Sequence, residues 1–274
     1  MTFDIDHPEV VDAVNRALAE DIGPGDVTTD ACIPPGVAAE GFFTARESMI
    51  VAGVELLQRI FHDVTLLRRS GDYASDGDVL ATVRGDARTL LTRERVALNF
   101  LQRLSGIATL ARAYSDAVAG TGCAILDTRK TTPGLRRLEK MAAAAGGATN
   151  HRMGLYDAIL IKNNHVALAG GIRKAVERAR ATGMALELEV RNHEEVEEAL
   201  ALGVSHLLLD NMTPRQAAEE IRFVAGRAKV ELSGGITLTT VREYAQTGAD
   251  FISVGAITHS ATAVDINLRI HPCR

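Results

Sequence analysis

Ala185-Leu186-Glu187-Leu188-Glu189-Val190, His206-Leu207-Leu208-Leu209 and Lys229-Val230-Glu231-Leu232 are three short, largely apolar segments. Helical stretches at 194–202 and 214–224 separate them. The same alternation extends outward in both directions. Segments 123–127, 158–161 and 251–254 read as further strands, and 173–181 and 239–246 as further helices. Strands apolar at nearly every position, alternating with helices, predict a parallel sheet buried on both faces. About six such units predict a sheet that closes, or nearly closes, into a barrel. An open doubly wound sheet gives the same pattern.

Upstream of about Gly120 the pattern is mixed. Val10, Val11, Val14 and Leu18 mark an amphipathic helix that Gly23-Pro24-Gly25-Asp26 stops. Residues 37–51 and 64–84 read as strands around a helix at 53–62, with a turn at Ser75-Asp76-Gly77-Asp78. A long helix begins near Thr89 or Thr92, with Ala97, Leu101, Leu104, Ala108 and Ala111 as its buried stripe. At the other end Val264, Ile266, Leu268 and Ile270 alternate with polar residues, as in a strand with one wet face. The expected organisation is an α+β domain over 1–112, an α/β barrel over 113–263, and a return of 264–274 to the first domain.

Composition narrows the partners. The formal net charge is −5 and no Trp is present, so neither a general basic field nor a base-stacking surface points to nucleic acid. Any anion must be held by local cations. Cys32, Cys123 and Cys273 show no C-x-x-C spacing and read as free thiols in a reducing cytosol. Residues 1–10 are polar and acidic, unlike a signal peptide, and no apolar run approaches the ~20 residues of a membrane span. A cytoplasmic protein is expected.

In a parallel α/β fold the active site lies at the carboxyl ends of the strands. Those ends carry Asp127-Thr128-Arg129-Lys130, Lys162-Asn163-Asn164-His165, Asp210-Asn211, Ser233-Gly234-Gly235 and Gly255-Ala256, with Glu187 and Glu189 on the third strand. Asn150-His151-Arg152 falls just before the second strand. Arg129, Lys130, Arg152 and Lys162 bring four cations to one rim, with His151 as a fifth, and that much positive charge needs anions. Glu189 and Asp210 suit ribose hydroxyls or Mg²⁺. The two glycine turns suit a phosphate. His62, His193, His206 and His259 have no metal spacing and read as structural. Glu187 reads either as an acid behind the site or as a partner for a helix cation.

The stretch from Asp127 through Arg136 is similar to the most specific motif of the quinolinate phosphoribosyltransferases. So are Asn150 through Asp157, Ile161 through Val166, Glu189, Leu209-Asp210-Asn211, Ser233-Gly234-Gly235 and Val254-Gly255-Ala256. Upstream, Gly25-Asp26-Val27-Thr28-Thr29, Arg93-Glu94-Arg95 and Leu104-Ser105-Gly106 resemble the same family. The resemblance implies an open, irregular α/β barrel with a smaller N-terminal α+β domain. It also implies a homodimer whose subunits share active sites. Arg129, Arg152 and Lys162 with His151 would hold the two carboxylates of quinolinate. Thr128 and Lys130 belong to the same site, Lys130 on the pyrophosphate side, and Arg95 would arrive from the neighbouring subunit. Glu189 and Asp210 would bind ribose hydroxyls and Mg²⁺. Ser233, Gly234 and Gly235, with Val254, Gly255 and Ala256, would grip the 5′-phosphate of phosphoribosyl pyrophosphate. Asn163 stands where the family usually has Asp, and Met49 where glycine is common.

Three other readings compete. A Schiff-base aldolase would use Lys162 beside a phosphate turn, but it has no need of Arg129, Lys130 and Arg152 together. A molybdate-transport-associated group shares the fold and several motifs, yet the full Asn150-His151-Arg152 stretch fits the quinolinate enzymes better. A binding protein without turnover has nothing in the chain to speak for it.

Overall fold

The computed structural model describes residues 3–273. Its elements run α1 (Pro8–Ile22), α2 (Val27–Cys32), β1 (Ala38–Ala45), β2 (Met49–Ile50), α3 (Leu57–Ile60), β3 (Asp63–Leu66), β4 (Tyr73–Ala74), β5 (Val79–Asp86) and α4 (Ala87–Ala117). There follow β6 (Ala124–Leu126), α5 (Arg136–Ala145), β7 (Ile159–Ile161), α6 (Asn163–Ala169), α7 (Ile172–Arg180), β8 (Leu186–Val190) and α8 (His193–Ala201). The last are β9 (His206–Asp210), α9 (Pro214–Val224), β10 (Lys229–Ser233), α10 (Val241–Ala245), β11 (Phe251–Ser253), α11 (Ala256–His259) and β12 (Ile266–Pro272).

Two compact units result. The first holds the described residues of Met1–Arg112, Thr131–Gly147 and Ile257–Arg274. Its four-stranded sheet has the order β12-β1-β5-β3, all antiparallel, with Phe43 opposite Leu268 on one side and Ala81 on the other. Burial alternates along β1, as one covered face requires. The stripe Ala97, Leu101, Leu104, Ala108 and Ala111 on α4 is buried. Gly106 lies on the same helix because a Cβ there would sit 2.1 Å from the Thr262 carbonyl oxygen.

Local corrections have local causes. The long helix begins at Ala87, not at Thr89 or Thr92, because the Asp86 carboxylate accepts from Thr89 N–H at 3.0 Å and caps it there. The strand expected over 37–51 breaks after Ala45. The one expected over 64–84 is three strands, interrupted at Gly71 and Gly77, both at positive φ. The helix expected over 53–62 shortens to a 3₁₀ turn at Val54–Leu56 and one turn at α3.

The second unit, Ala113–Lys130 with Ala148–Ala256, holds a six-stranded parallel sheet of order β6-β11-β10-β9-β8-β7. The first strand in sequence therefore lies beside the last, as in a barrel and not as in a sheet wound outward from its middle. β6 and β7 end the strand order, and on its side away from β11, β6 pairs through an isolated bridge, Leu126 to Thr149, which precedes β7 in the chain. The barrel is open at that seam. Alternation sets the two faces of each strand. Leu188, Leu207, Leu209, Val230, Leu232 and Ile252 are buried on one side. Leu160, Leu208, Glu231, Ser233 and Ser253, on the other, line a common interior cavity.

Candidate active site

That cavity, about 180 Å³, is also lined by Thr128, Arg129, Lys130, His151, Arg152 and Lys162. The four cations read from separate strand ends thus meet around one space. Burial and the neighbouring Arg129 both lower the Arg152 pKa, the mark of positive charges held close together. Arg152 Nη1 donates to the Ala158 carbonyl at 3.1 Å, which anchors its long side chain. Lys162 caps α6, and its Nζ lies 3.3 Å from Glu189 Oε2. Glu189 also accepts from Asn163 N–H at 3.3 Å, so the acid facing this lysine comes from β8 and not from position 163.

Asp210 closes β9. Burial and then the like charge of Glu189 raise its pKa, while Asn211 Nδ2 donates to it at 2.7 Å. Two neighbouring carboxylates that repel each other fit a hard cation or a pair of hydroxyl groups. The turn after β10 has Gly234 at φ +106°, where a Cβ would lie 2.3 Å from Asn211 Oδ1. Only glycine fits that turn. Gly234, Gly235, Val254, Gly255 and Ala256 follow β10 and β11 at the same strand ends; like Glu189 and Asp210, they do not line the cavity. Arg95 belongs to the first unit and is exposed on α4.

Two acids, Asp127 and Glu231, and one histidine, His206, have contacts the sequence did not reveal. Asp127, fully buried, accepts from Asn150 Nδ2 at 2.6 Å and from His151 N–H at 2.8 Å. Glu187 and Glu231 reach His151 Nε2 at 3.2 and 3.4 Å, and His206 Nε2 lies 3.6 Å from Glu187. Burial opposes a charge on His151, but the two glutamates outweigh it and push its pKa up to about 9. Burial raises Glu231. Glu187 is buried too, yet the His151 and His206 rings hold it below the ordinary range. Glu187 had been open between two readings, and it is the acid behind the site. The signal for Glu231 was available: an acid inside an otherwise apolar strand needs a polar partner.

A polar barrel interior ringed by cations defines an enzyme for small polyanionic substrates. Comparison with known proteins makes that class specific. Residues 26–105 match the quinolinate phosphoribosyl transferase N-terminal domain, and residues 107–269 match the C-terminal domain of the same family. The chain belongs to the quinolinate phosphoribosyltransferase family. It is 42% identical to the chloroplastic nicotinate-nucleotide pyrophosphorylase [carboxylating] of Arabidopsis thaliana, over 94% of this chain and 81% of that one. It is 40% identical to the probable nicotinate-nucleotide pyrophosphorylase [carboxylating] of Bacillus subtilis, over 97% and 95%. The crystal structure of NadC from Streptococcus pyogenes superposes with a TM-score of 0.94 at 38% identity, covering all of both chains. No described helix is long and apolar enough to cross a membrane.

Proposed function

We propose that this chain transfers the phosphoribosyl group of phosphoribosyl pyrophosphate to quinolinate, with decarboxylation, in keeping with the quinolinate phosphoribosyltransferase family to which it belongs. The supporting observation is the ring of Arg129, Lys130, Arg152 and Lys162 around one cavity in a chain of net charge −5. Both substrates are polyanions. Arg129, Arg152 and Lys162 hold the pyridine carboxylates and turn the ring nitrogen toward ribose C1. Lys130 stands on the side where pyrophosphate departs. The nitrogen attacks C1 as the C1–O bond breaks; the adjacent carboxylate then leaves as CO₂, its electron pair stays on the ring carbon beside the positive nitrogen, and a proton from solvent takes the carboxylate's place. Removing one preorganised charge from such a site typically costs several kcal/mol of transition-state stabilisation.

Glu189 and Asp210 would hold ribose hydroxyls and Mg²⁺, and the two glycine turns the 5′-phosphate. Mg²⁺, when bound, supplies positive charge beside the departing pyrophosphate. A cytoplasmic setting suits these substrates. The direct test is incubation with quinolinate, phosphoribosyl pyrophosphate and Mg²⁺. It should yield nicotinate mononucleotide, pyrophosphate and CO₂ in equal amounts.

Specificity should depend on both carboxylates. Nicotinate offers one, leaving a half-buried cation unmatched at a typical cost of ~2–5 kcal/mol. Its kcat/KM should fall accordingly, and comparable turnover of the two acids would defeat the assignment. Lys162, already paired with Glu189, should act as a charge. Borohydride reduction in the presence of substrates should leave no adduct, whereas an adduct at Lys162 would restore the aldolase reading.

The enzyme is proposed to be a homodimer in which Arg95 enters the neighbouring subunit's site. Arg93 is already engaged by the Ile60 carbonyl, whereas Arg95 is exposed on α4, as an arginine that serves a neighbouring subunit would be. Mixing inactive Arg95→Ala and Lys162→Ala enzymes under subunit exchange should restore activity toward about a quarter of wild type. Half of randomly paired dimers are mixed, and each holds one intact site. A mixture as inactive as its parents, despite proven exchange, would place Arg95 in its own subunit's service.

A further inference from the structure

Asn211 has a backbone conformation that its place in the fold does not require. Among the described residues only Asn211 (φ +57°) and Ala225 (φ +49°) lie at positive φ without being glycine. Ala225 closes α9, where a left-handed residue is a common helix cap. Asn211 follows β9, and a strand end needs no such residue. L-residues enter this region at a cost, which persists where the surroundings impose it, most often at functional sites. Three contacts impose it here. The Asn211 N–H donates to the Ser233 carbonyl at 2.9 Å, just past the last β9–β10 pair, Asp210 with Ser233. Its Nδ2 donates to Asp210 Oδ2 at 2.7 Å. Its Oδ1 lies against Gly234, so close that a Cβ there would stand 2.3 Å away. A carboxylate only accepts, so the amide nitrogen faces Asp210 and the amide oxygen faces the glycine turn.

We infer that Asn211 is a positioning residue, which fixes the Asp210 carboxylate with one end of its amide and the Ser233-Gly234 turn with the other. This rests on the proposed transfer reaction, in which Asp210 holds a ribose hydroxyl and the turn holds the 5′-phosphate. One ribose carries both groups a few bonds apart, so the acid and the turn must keep a set separation to be used together. The left-handed backbone is what makes one side chain serve both. Successive side chains of an extended strand point to opposite faces, so an extended Asn211 would turn its amide away from Asp210. At positive φ the amide comes back beside Asp210 and across the turn after β10. Asp210 needs that hold. Glu189 stands beside it with like charge, and repulsion turns an unrestrained carboxylate away. Gly234 meets the same amide from the other side, and its lack of a side chain leaves room for the contact.

Two substitutions that keep the left-handed backbone separate this role from a purely conformational one. Asn211→Gly adopts positive φ freely and removes both ends of the amide. Asn211→Asp keeps the shape and tolerates the same φ, but sets a second carboxylate against Asp210. Calorimetry without added metal gives two dissociation constants for each protein. One is for nicotinate mononucleotide, which carries ribose and a 5′-phosphate, and the other for quinolinate, which carries neither. The Kd for nicotinate mononucleotide should rise about tenfold or more in Asn211→Gly, as loss of a hydrogen bond to a charged group implies, and further in Asn211→Asp. The Kd for quinolinate should stay at the wild-type value in both, which also shows that they fold. The KM for phosphoribosyl pyrophosphate should rise with the first constant, and the KM for quinolinate should not. Equal nicotinate mononucleotide affinity in Asn211→Gly and wild type would leave Asn211 chosen only for its backbone. Parallel losses for the two ligands would make it a general support of the barrel. Either result overturns the positioning role while the activity stands. If wild type makes no nicotinate mononucleotide from quinolinate and phosphoribosyl pyrophosphate, the proposed reaction fails and this role with it.

Discussion

Arg103→Met should lower the stability of the first unit by about 3–5 kcal/mol, the usual result of removing one partner of a buried ion pair. Glu139 is fully buried, and Arg103 Nη2 reaches its Oε1 at 2.9 Å. The same guanidinium donates to the Ala261 carbonyl at 2.9 Å and to that of Thr258, so it joins α4, α5 and the chain before β12. Without it the two carbonyls and the carboxylate lose their strongest donor. The Thr132 amide and hydroxyl still donate to Glu139 at 3.0 and 2.7 Å, which places the expected loss toward the lower end. Urea unfolding followed by far-ultraviolet circular dichroism measures it. Arg84→Met is the control. Its pair with Glu40 lies on the surface, with Arg84 64% exposed, and should matter by under about 1 kcal/mol. Equal, small effects of the two substitutions would show that Glu139 finds other compensation.

The network around Arg103 could not be read from the chain, because Arg103, Glu139 and Ala261 are separated by folds of the backbone that no local pattern encodes. Periodic features were legible for the opposite reason. The stripe on α4 and the alternation of strands and helices after Cys123 repeat within a few residues, and each repeat carries its own burial requirement. The antiparallel strands near Met49 and Tyr73 are two residues each, too short for a period to emerge. The site divides in the same way. Charges at strand ends could be assigned to one rim once the sheet was parallel. The contacts of the His151 ring depend instead on Glu187 and Glu231, from two strands that sequence spacing leaves unrelated.

Arg152→Met should reduce kcat/KM for quinolinate by about 10²–10³, a loss of roughly 3–4 kcal/mol, at the middle of the range for a half-buried charge that loses its partner. The reasoning uses Arg129. Two guanidinium groups share the cavity wall, and burial together with Arg129 makes the charge on Arg152 less favourable. A dianion relieves this repulsion and a monoanion relieves part of it, so the positive potential of the empty site is stored preference for quinolinate. Removing Arg152 removes both an attraction and a repulsion. Quinolinate loses the attraction in full, whereas nicotinate, which never neutralised the pair, loses less. The ratio of kcat/KM for the two acids should therefore shrink in Arg152→Met, so that changes in enzyme and substrate are not additive. Arg152→Lys should recover the charge without the planar fork and fall between wild type and Met. Measuring both acids with all three enzymes, with thermal unfolding as a check on folding, decides it. A loss equal for quinolinate and nicotinate would mean that Arg152 does not sense the second carboxylate, and its place in the site would pass to Arg129 and Lys162.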